Sequence, residues 1–177
     1  MDREELKIRF KNGERDFSGI DFSGVRLASL NLTGIILVGA NLSRCKLVDT
    51  MFDNSNLERC CFQGANLDGA RFQNANLRRA NFNSSILVRT YFYQSNADEA
   101  SFRNTDIRMA SFQQVSFRKT NWADIAGEPD SDEGDNEFVD VDFTESEYIP
   151  YIDDYAVRVI LPNGEIYTTP RLEGEDL

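Results

Sequence analysis

The sequence predicts a repeat solenoid built from five-residue units, and three observations carry that prediction. From Phe17 to Trp122 every fifth residue is apolar, for 22 positions without an insertion, and Ala97 is the one residue among them that is not large. The residue two positions earlier is usually small or β-branched, and asparagine often lies between the two, as in ANL at 65–67. A period of five fits neither a helix face at 3.6 residues nor a strand at two. A tandem repeat is the architecture that remains.

These residues resemble the tandem motif A(D/N)LXX of the pentapeptide repeat family. The run GANLDGARFQNANLRRANF at 64–82 follows the motif almost residue for residue, and the resemblance extends over roughly residues 16–125. The resemblance implies an all-β fold, a right-handed quadrilateral β-helix with one pentad on each side and about 5.5 coils for the 22 pentads. The motif is highly specific for this fold and only weakly specific for function.

The core follows from the repeat. The large residue of each pentad fills the axis, and every fourth pentad stacks on the same side, so two columns rich in aromatic rings face each other between two columns rich in leucine. Burial of each such side chain contributes about 1.5–3 kcal/mol, which is ample for a rod of this length. Coils spaced at the interstrand distance make a rod of roughly 26 Å. Ala97 interrupts one column, and we expect a small void there or an inward lean by its neighbours.

Residues 1–13 are predicted to form an N-terminal capping α-helix. Asp2 and Glu5 have the spacing of a capping box, Leu6 lies on the apolar face, and Asn-Gly at 12–13 ends the helix. A solenoid needs such a cap because an open coil exposes core residues and unpaired backbone groups. The segment also resembles the N-terminal cap of pentapeptide repeat proteins from photosynthetic bacteria.

Beyond the repeat domain, predicted over 14–125, the pattern breaks. Residues 126–137 are acidic and poor in hydrophobic residues, which indicates a loop or linker. The segment 138–177 is predicted to hold a further partial coil in a shifted phase, a β-hairpin and an acidic tail. Aromatic residues return at five-residue spacing from Phe138, and a Pro-Asn-Gly turn within 155–168 separates two strand-like runs.

The charge is distributed unevenly along the chain. The 177 residues carry 30 acidic and 19 basic side chains and no histidine, for a net charge of −11. Residues 1–125 have a net charge of +3, and residues 126–177 have one of −14. A chain without histidine has no Ser-His-Asp triad and no histidine zinc site. The charged N-terminus, the absence of a long apolar run and only three cysteines predict a cytoplasmic protein without a membrane span.

Three acidic residues in the loop, Asp130, Asp132 and Asp135, suggest a calcium site. An EF-hand loop counted from Asp130 requires glycine where Asp135 stands and glutamate where Val141 stands, so the motif does not match. A solvated linker is the preferred interpretation, and no metal site is predicted.

Cysteine chemistry is not expected either. Cys45 and Cys60 occupy the small inward positions, where a thiol behaves as a compact apolar group, and Cys61 points outward without a basic neighbour. The sequence contains no glycine-rich phosphate loop, and its paired carboxylates lie in solvated segments. We therefore predict a protein that is not an enzyme and has no cofactor.

Two surface features are candidates for binding. Stacking at 20-residue intervals places charges of alternating sign on one side, which favours a salt-bridge ladder satisfied within the rod. The residues of this ladder are Glu58, Arg78, Asp98 and Arg118 beside Arg59, Arg79, Glu99 and Lys119.

The second feature is apolar and provides the predicted protein-interaction residues. Ile86 and Val88 flank Leu87, and Tyr91 and Tyr93 flank Phe92, so that all four are expected to point outward on adjacent sides of one coil. An exposed apolar patch of this kind usually marks a contact surface. Its occupant is a protein partner, a second copy of the chain or the chain's own tail.

These observations predict a non-enzymatic scaffold that presents a rigid rod to a protein partner of unknown identity. A homodimer through an end coil or through the apolar patch is a further option. The alternative is a DNA mimic that modulates DNA gyrase or topoisomerase, by resemblance to gyrase-protecting members of the family. A near-neutral rod disfavours that alternative because it does not imitate duplex phosphates, and direct nucleic-acid binding is not expected.

Overall fold

The computed structural model describes residues 1–125, 136–150 and 156–168. Most of the predicted acidic loop and the predicted acidic tail from Thr169 onward lie outside the described residues.

Parallel bridges between residues 20 positions apart define the coil. Asn41 pairs with Cys61, and Cys61 pairs with Asn81. The N–H of each central residue donates to a backbone carbonyl of the next coil, as from Phe22 to Asn41 at 2.8 Å. Four five-residue segments therefore complete one coil, and the chain is a β-helix of stacked parallel coils.

Each coil contains four five-residue segments, which we call its sides and number from the first by the residues at their centres. All of these centres are buried. The first side is centred on Phe17, Leu37, Leu57, Leu77, Ala97, Phe117 and Phe143; the second on Phe22, Leu42, Phe62, Phe82, Phe102 and Trp122; the third on Leu27, Leu47, Leu67, Leu87 and Ile107; the fourth on Leu32, Phe52, Phe72, Phe92, Phe112 and Phe138.

Aromatic rings form the two facing columns that the sequence predicts. On the second side, Phe62 stacks on Phe82 with centroids 4.8 Å apart and planes 6° apart, and Phe102 stacks on Trp122 at 4.1 Å and 5°. Rings of the second and fourth sides meet edge to face, as between Phe62 and Phe72 at 6.1 Å and 82°. The edge-to-face arrangement is favoured by the ring quadrupole.

A left-handed backbone conformation turns the chain at each corner, two residues after the centre. Gly24 has φ of 72°, and residues with side chains adopt the same conformation, including Arg44 at 57° and Met109 at 60°. The N–H of Val25 donates to the carbonyl of Phe22 across such a corner at 2.9 Å. Glycine recurs here because it adopts this conformation without steric cost, but the fold imposes the conformation on other residues as well.

Asparagine before the centre has a structural role that the sequence analysis did not assign. Its side-chain oxygen accepts the N–H two residues further on, as Asn81 Oδ1 does from Asn83 at 2.9 Å. Aspartate at this position does the same, as Asp21 Oδ1 accepts the N–H of Ser23 at 2.9 Å. Where Arg71 takes the position, the coil below supplies the acceptor: Asp53 Oδ1 accepts the N–H of Gln73 at 3.1 Å. These bonds satisfy a backbone donor that would otherwise need water.

Ala97 breaks the first-side column, and the neighbour above it compensates. Phe117 stands in that column one coil higher and contacts Phe102 at 5.4 Å and Phe92 at 6.4 Å, the rings that flank Ala97 along the chain. Ala97 itself has no exposed surface. The contacts agree with the predicted inward lean.

The N-terminal helix α1 spans Arg3–Lys11. The side chain of Asp2 accepts the N–H of Glu5 at 2.9 Å, as expected of an N-cap, while the Glu5 carboxylate pairs with Arg9 at 3.3 Å. Leu6 is 1% exposed and belongs to the core. The helix is therefore anchored to the solenoid by an apolar side chain.

Four short strands lie one above another on the fourth side and form a parallel sheet in the order β1-β2-β3-β4. They are β1 Arg71–Gln73, β2 Tyr91–Tyr93, β3 Ser111–Gln113 and β4 Glu137–Val139. Because Glu137 begins β4, the acidic segment ends before this residue and not at 137 as the sequence analysis placed it.

The coil continues across the acidic segment without leaving its columns. Phe138 stacks on Phe112 at 5.1 Å, and Phe143 stacks on Phe117 at 5.5 Å, although the acidic segment lies between the two residues of each pair. The five-residue phase therefore shifts in residue number, as the sequence predicts, but the side chains do not shift in space. The spatial register of the core is kept.

The C-terminal strands follow the same plan. Strand β5, Val159–Ile160, carries the coil on, since Asp142 forms a parallel bridge to Ile160. It then pairs antiparallel with β6, Ile166–Tyr167, so a hairpin forms within the predicted range 155–168.

Candidate protein-docking surface

The four predicted interaction residues differ in exposure. Ile86 is 41% exposed and Tyr91 49%, whereas Val88 and Tyr93 are half-buried. Leu87, between the first pair, and Phe92, between the second, are fully buried. All four side chains point outward, as predicted, and two of them are less exposed than expected.

Strand β2 places both tyrosines on the outer face of the four-stranded sheet. Residues flanking a strand centre point to the same face, and the parallel register puts Tyr91 between Arg71 and Ser111. By the same register, Tyr93 lies between Gln73 and Gln113.

A surface groove of about 390 Å³ brings the tyrosines together with two residues of the coil below. Its lining is Arg71, Gln73, Tyr91 and Tyr93, and we call it the tyrosine groove. Arg71 and Gln73 were missed in the sequence analysis, although the 20-residue stacking rule already placed them beneath the tyrosines. The groove does not include Ile86 or Val88.

The polar groups beneath the tyrosine groove are paired with one another. Arg71 lies 3.1 Å from the carboxylate of Asp53, which also accepts the N–H of Gln73. Asp53 is 7% exposed, so this pair is partly desolvated. The charge at the lower wall is thereby balanced. The groove presents the two tyrosine rings together with the amide of Gln73 and the edge of the Arg71 guanidinium.

The wall above the tyrosines is tied in the same way. Glu137 accepts hydrogen bonds from Ser111 Oγ at 2.6 Å and from Gln113 Nε2 at 2.8 Å. Both walls of the sheet face are therefore held by side-chain hydrogen bonds before any partner arrives.

Ile86 and Val88 lie around the corner, on the third side. Ile86 bridges Asn66 below and Asp106 above, so polar residues border it along the rod. The predicted patch is thus divided between two sides. The tyrosine groove occupies one, and an aliphatic pair occupies the other.

The charged ladder forms, but not with the strict alternation expected. Arg78 and Arg79 both bind Glu99, at 2.9 and 2.8 Å, and their hydrogen bonds lower the pKa of this carboxyl group. Asp98 instead accepts from Ser116 Oγ and from the N–H of Arg118. These charges are satisfied within the rod.

Arg44 stands apart from the paired arginines. It lines a polar surface pocket of about 290 Å³ with Ser43, Gln63, Gly64 and Ser84. Its guanidinium makes no hydrogen bond or ion pair with any residue that the structure describes. Among the same residues, no acidic side chain lines the pocket.

The two buried thiols are arranged as inert groups. Cys45 and Cys60 are buried, and burial raises the pKa of both, that of Cys45 to about 11. Cys61 is half-buried between Asn41 and Asn81. A thiol with a raised pKa is a poor nucleophile at neutral pH.

Within residues 1–125, 136–150 and 156–168, no group of three or more acidic or cysteine side chains is placed to hold a metal ion. The candidate calcium ligands Asp130, Asp132 and Asp135 lie outside those ranges. No helix of the described chain has the length and apolar character needed to cross a membrane.

Two family models match the sequence. The model of the pentapeptide repeat region matches residues 65–128, and the model of pentapeptide repeats in eight copies matches residues 20–59. Together they cover more than half of the chain. No curated protein matches the sequence significantly.

The solved structures that match this chain include proteins described as pentapeptide repeat proteins. HetL, involved in heterocyst differentiation regulation in the cyanobacterium Nostoc sp. strain PCC 7120, is 15% identical with a TM-score of 0.39, and the match covers 94% of this chain and all of HetL. Rfr23 from the cyanobacterium Cyanothece 51142 is 21% identical with a TM-score of 0.42, over 71% of this chain and 95% of that one. QnrB1, a plasmid-mediated fluoroquinolone resistance protein, is 17% identical with a TM-score of 0.38, over 81% of each chain.

Proposed function

Because the chain belongs to the pentapeptide repeat family, we propose that it is a non-enzymatic scaffold whose rigid rod docks a protein partner. The tyrosine groove is the observation that carries this proposal. Two tyrosines project from one strand over a 390 Å³ groove whose polar walls are already paired. Tyrosine is enriched at interfaces because it offers a large contact area and a polar tip at low entropic cost.

We also infer the finer shape of the scaffold. Four equal segments per coil, each ending in a left-handed corner, support a right-handed coil of square cross-section. Ring planes that are nearly parallel within a column and nearly perpendicular between facing columns fit a square core. A scaffold of this shape holds its docking surface without a large ordering cost on binding.

The chemistry of the chain supports a binding role. Burial raises the pKa of the Cys45 thiol, and the Asp53 carboxylate beside the tyrosine groove is paired with Arg71. Among the described residues, neither group is activated for catalysis at the groove. The three cysteines are free, as is usual in a reducing compartment. We therefore propose a cytoplasmic protein that works by contact.

The test is affinity capture of partners with the full chain, compared between wild type and Tyr91→Ala combined with Tyr93→Ala. We expect partner recovery to fall at least about tenfold, since loss of two central tyrosines typically removes more than about 1.4 kcal/mol of binding free energy. Ile8→Ala is the matched control, because Ile8 is 60% exposed and lies on the N-terminal helix. Full retention of every partner by the double variant would contradict the proposal.

A DNA mimic acting on gyrase remains the weaker candidate. Such a mimic needs columns of unpaired acids, whereas residues 1–125 carry 14 acidic and 17 basic side chains, and many of these are joined in ion pairs. Inhibition of gyrase supercoiling by the purified protein at micromolar concentration would support this candidate over the scaffold.

A further inference from the structure

The basic side chains of the solenoid are not all paired. Residues 17–125 contain twelve lysines and arginines, and nine of them form an ion pair with an acidic residue. The other three, Arg26, Arg44 and Lys46, have no ion-pair partner among the residues that the structure describes. All three are exposed.

These three cations lie together at one place on the rod. Arg26 and Lys46 form a parallel bridge at the start of the third side, so their backbones are about 4.8 Å apart. Arg44 lies two residues before Lys46, at the corner that joins the second side to the third. Like charges directly opposite each other in a sheet are destabilising. A bound anion at this corner would offset that repulsion.

Gly64 opens a pocket beside Arg44. Arg44, Gly64 and Ser84 follow one another in the same corner column, and a pocket of about 290 Å³ lies along them. The stem of Arg44 borders the gap, because its Cγ would be 3.6 Å from a Cβ on Gly64. At the corner between the third and fourth sides, the corresponding gap at Gly69 is occupied by the carboxylate of Asp49. An acid therefore closes one gap, whereas a cation borders the other.

The lining of this pocket offers hydrogen-bond donors. The Ser43 hydroxyl and the Gln63 amide make no hydrogen bond with any residue in the described part of the chain. Ser84 Oγ accepts from Asn104 Nδ2 at 3.2 Å, so its own proton remains available to donate. The guanidinium of Arg44 adds a planar fork of N–H groups, which binds phosphate oxygens in pairs. Together these groups suit an anion with several acceptor oxygens.

We propose that this corner pocket binds a phosphate dianion, either as inorganic phosphate or as a phosphomonoester. Arg44 binds two of its oxygens, Ser43, Gln63 and Ser84 donate to the others, and Lys46 adds positive charge at the rim. A phosphate group matches this donor set better than a carboxylate does, because it carries nearly two negative charges at pH 7 and has three strong acceptor oxygens. Binding weakens with salt, since the pocket is at the surface.

The first test is a nuclear magnetic resonance titration of the full chain with sodium phosphate, at an ionic strength held constant with sodium chloride. We expect saturable shifts at the Gly64 amide, the Gln63 side chain and Arg44 Nε–H, with a dissociation constant of about 1 mM or below. Sodium acetate should bind at least about fivefold more weakly. A capped phosphoserine peptide distinguishes the two sources: binding of this peptide indicates a phosphomonoester site, and binding of inorganic phosphate alone indicates a site for the free ion.

The second test uses two variants that alter the pocket in different ways. Arg44→Gln removes the guanidinium, and Gly64→Met fills the gap without a change in charge, at a corner whose conformation Met109 adopts with φ of 60°. Each should weaken phosphate binding at least about tenfold. The matched controls are Arg59→Gln, at a corner with φ of 58°, and Gly39→Met, at a corner with open surroundings. Both controls should bind phosphate as wild type does.

Far-ultraviolet circular dichroism verifies that each variant is folded. The absence of saturable shifts with phosphate, an equal response to acetate, or wild-type affinity in Arg44→Gln would overturn the proposal. The tyrosine groove lies on the fourth side, so these results are independent of partner capture by the two tyrosines.

Discussion

At the scale of single residues, the small inward position does more than leave room for the core. Cys45 Sγ donates to the carbonyl of Phe22 at 2.9 Å, and Cys60 Sγ donates to that of Leu37 at 3.1 Å, in each case in the coil below. Thr50 Oγ1 donates in the same way to the carbonyl of Leu27, in the coil below Thr50. At these three positions a small side chain that can donate therefore ties two coils together, whereas Thr105 Oγ1 and Thr120 Oγ1 donate within their own coil, to the carbonyls of Phe102 and Phe117.

The buried thiols make stability depend on pH in the alkaline range. Burial raises the pKa of Cys45 from its ordinary 9.0 to about 11, and raises that of Cys60 as well, so the folded state keeps protons that the unfolded state releases. Their contribution is complete below pH 9 and is lost as the pH rises above it. We expect Cys60→Ala to lose less unfolding free energy than wild type between pH 8 and pH 10.5, by about 1 kcal/mol.

Urea unfolding with reductant at the two pH values measures this difference. Thr50→Ala is the control, because Thr50 has the same inward position and the same bond to the coil below but no thiol, and it should keep the pH dependence of wild type. Identical pH dependence in wild type and Cys60→Ala would show that the buried thiol is not linked to folding.

At the scale of elements, the columns behave as units of packing. Ala97 is too small for its place in the first-side column, and the ring of Phe117 contacts both Phe92 and Phe102 in the coil below. Ala97 and Phe117 are therefore coupled, although they belong to different coils. Residues in contact through one packed site show non-additive effects on stability.

We expect Ala97→Leu alone to destabilise the protein by about 1–3 kcal/mol, because the added side chain meets the Phe117 ring. Phe117→Leu alone should also cost stability through lost packing. The double variant continues the leucine column and should recover at least half of the summed loss. A double-mutant cycle by urea unfolding gives the coupling energy, and strictly additive losses would contradict this account.

The elements also show where sequence reasoning reaches its limit at the candidate site. Five-residue spacing alone directs Tyr91 and Tyr93 outward, and both side chains reach the surface. Arg71 and Gln73 required a second step, the stacking of one coil on the next, before they could be joined to the same groove. The exposure of Val88 depends on how far neighbouring side chains reach, which no spacing rule contains.

At the scale of the whole molecule, the rod is a one-dimensional stack in which each coil packs only on its neighbours. Interior coils are supported from both faces, and end coils from one, so local stability is highest in the middle. The first coil depends on helix α1, whose Leu6 is 1% exposed. The helix and the first coil should therefore open together.

We expect hydrogen exchange measured by mass spectrometry to be slowest around Phe72 and Phe82 and faster toward both ends. Leu6→Ala should increase exchange in the first coil and lower the unfolding free energy by about 2–4 kcal/mol, without changing exchange at the centre. Ile8→Ala, on the exposed face of the same helix, should change neither. Uniform loss of protection along the rod in Leu6→Ala would indicate a single cooperative unit instead.

The sequence predicted the repeat, the two aromatic columns and the N-terminal helix because each depends on spacing and on residue size. It did not predict that Phe138 would stack directly on Phe112. Counting residues detects a broken period, but only the hydrogen bonds and ring contacts of the coil show that the columns resume in the same place. The asparagine bonds were missed for a related reason, since a polar residue at the surface looks the same whether it binds water or the backbone.

The two coils that follow Phe112 differ in length, but their side chains stay in the same columns as those of the regular coils. The first is longer than the regular coil and the next is shorter, yet the bridges on the first and fourth sides continue through both. The core therefore does not dictate how many residues the chain has between Phe112 and Phe138. For protein engineering, it is a position where peptides of varied length can be inserted while the remaining sides keep their spacing, so the rod could display an added epitope or binding loop at a defined height.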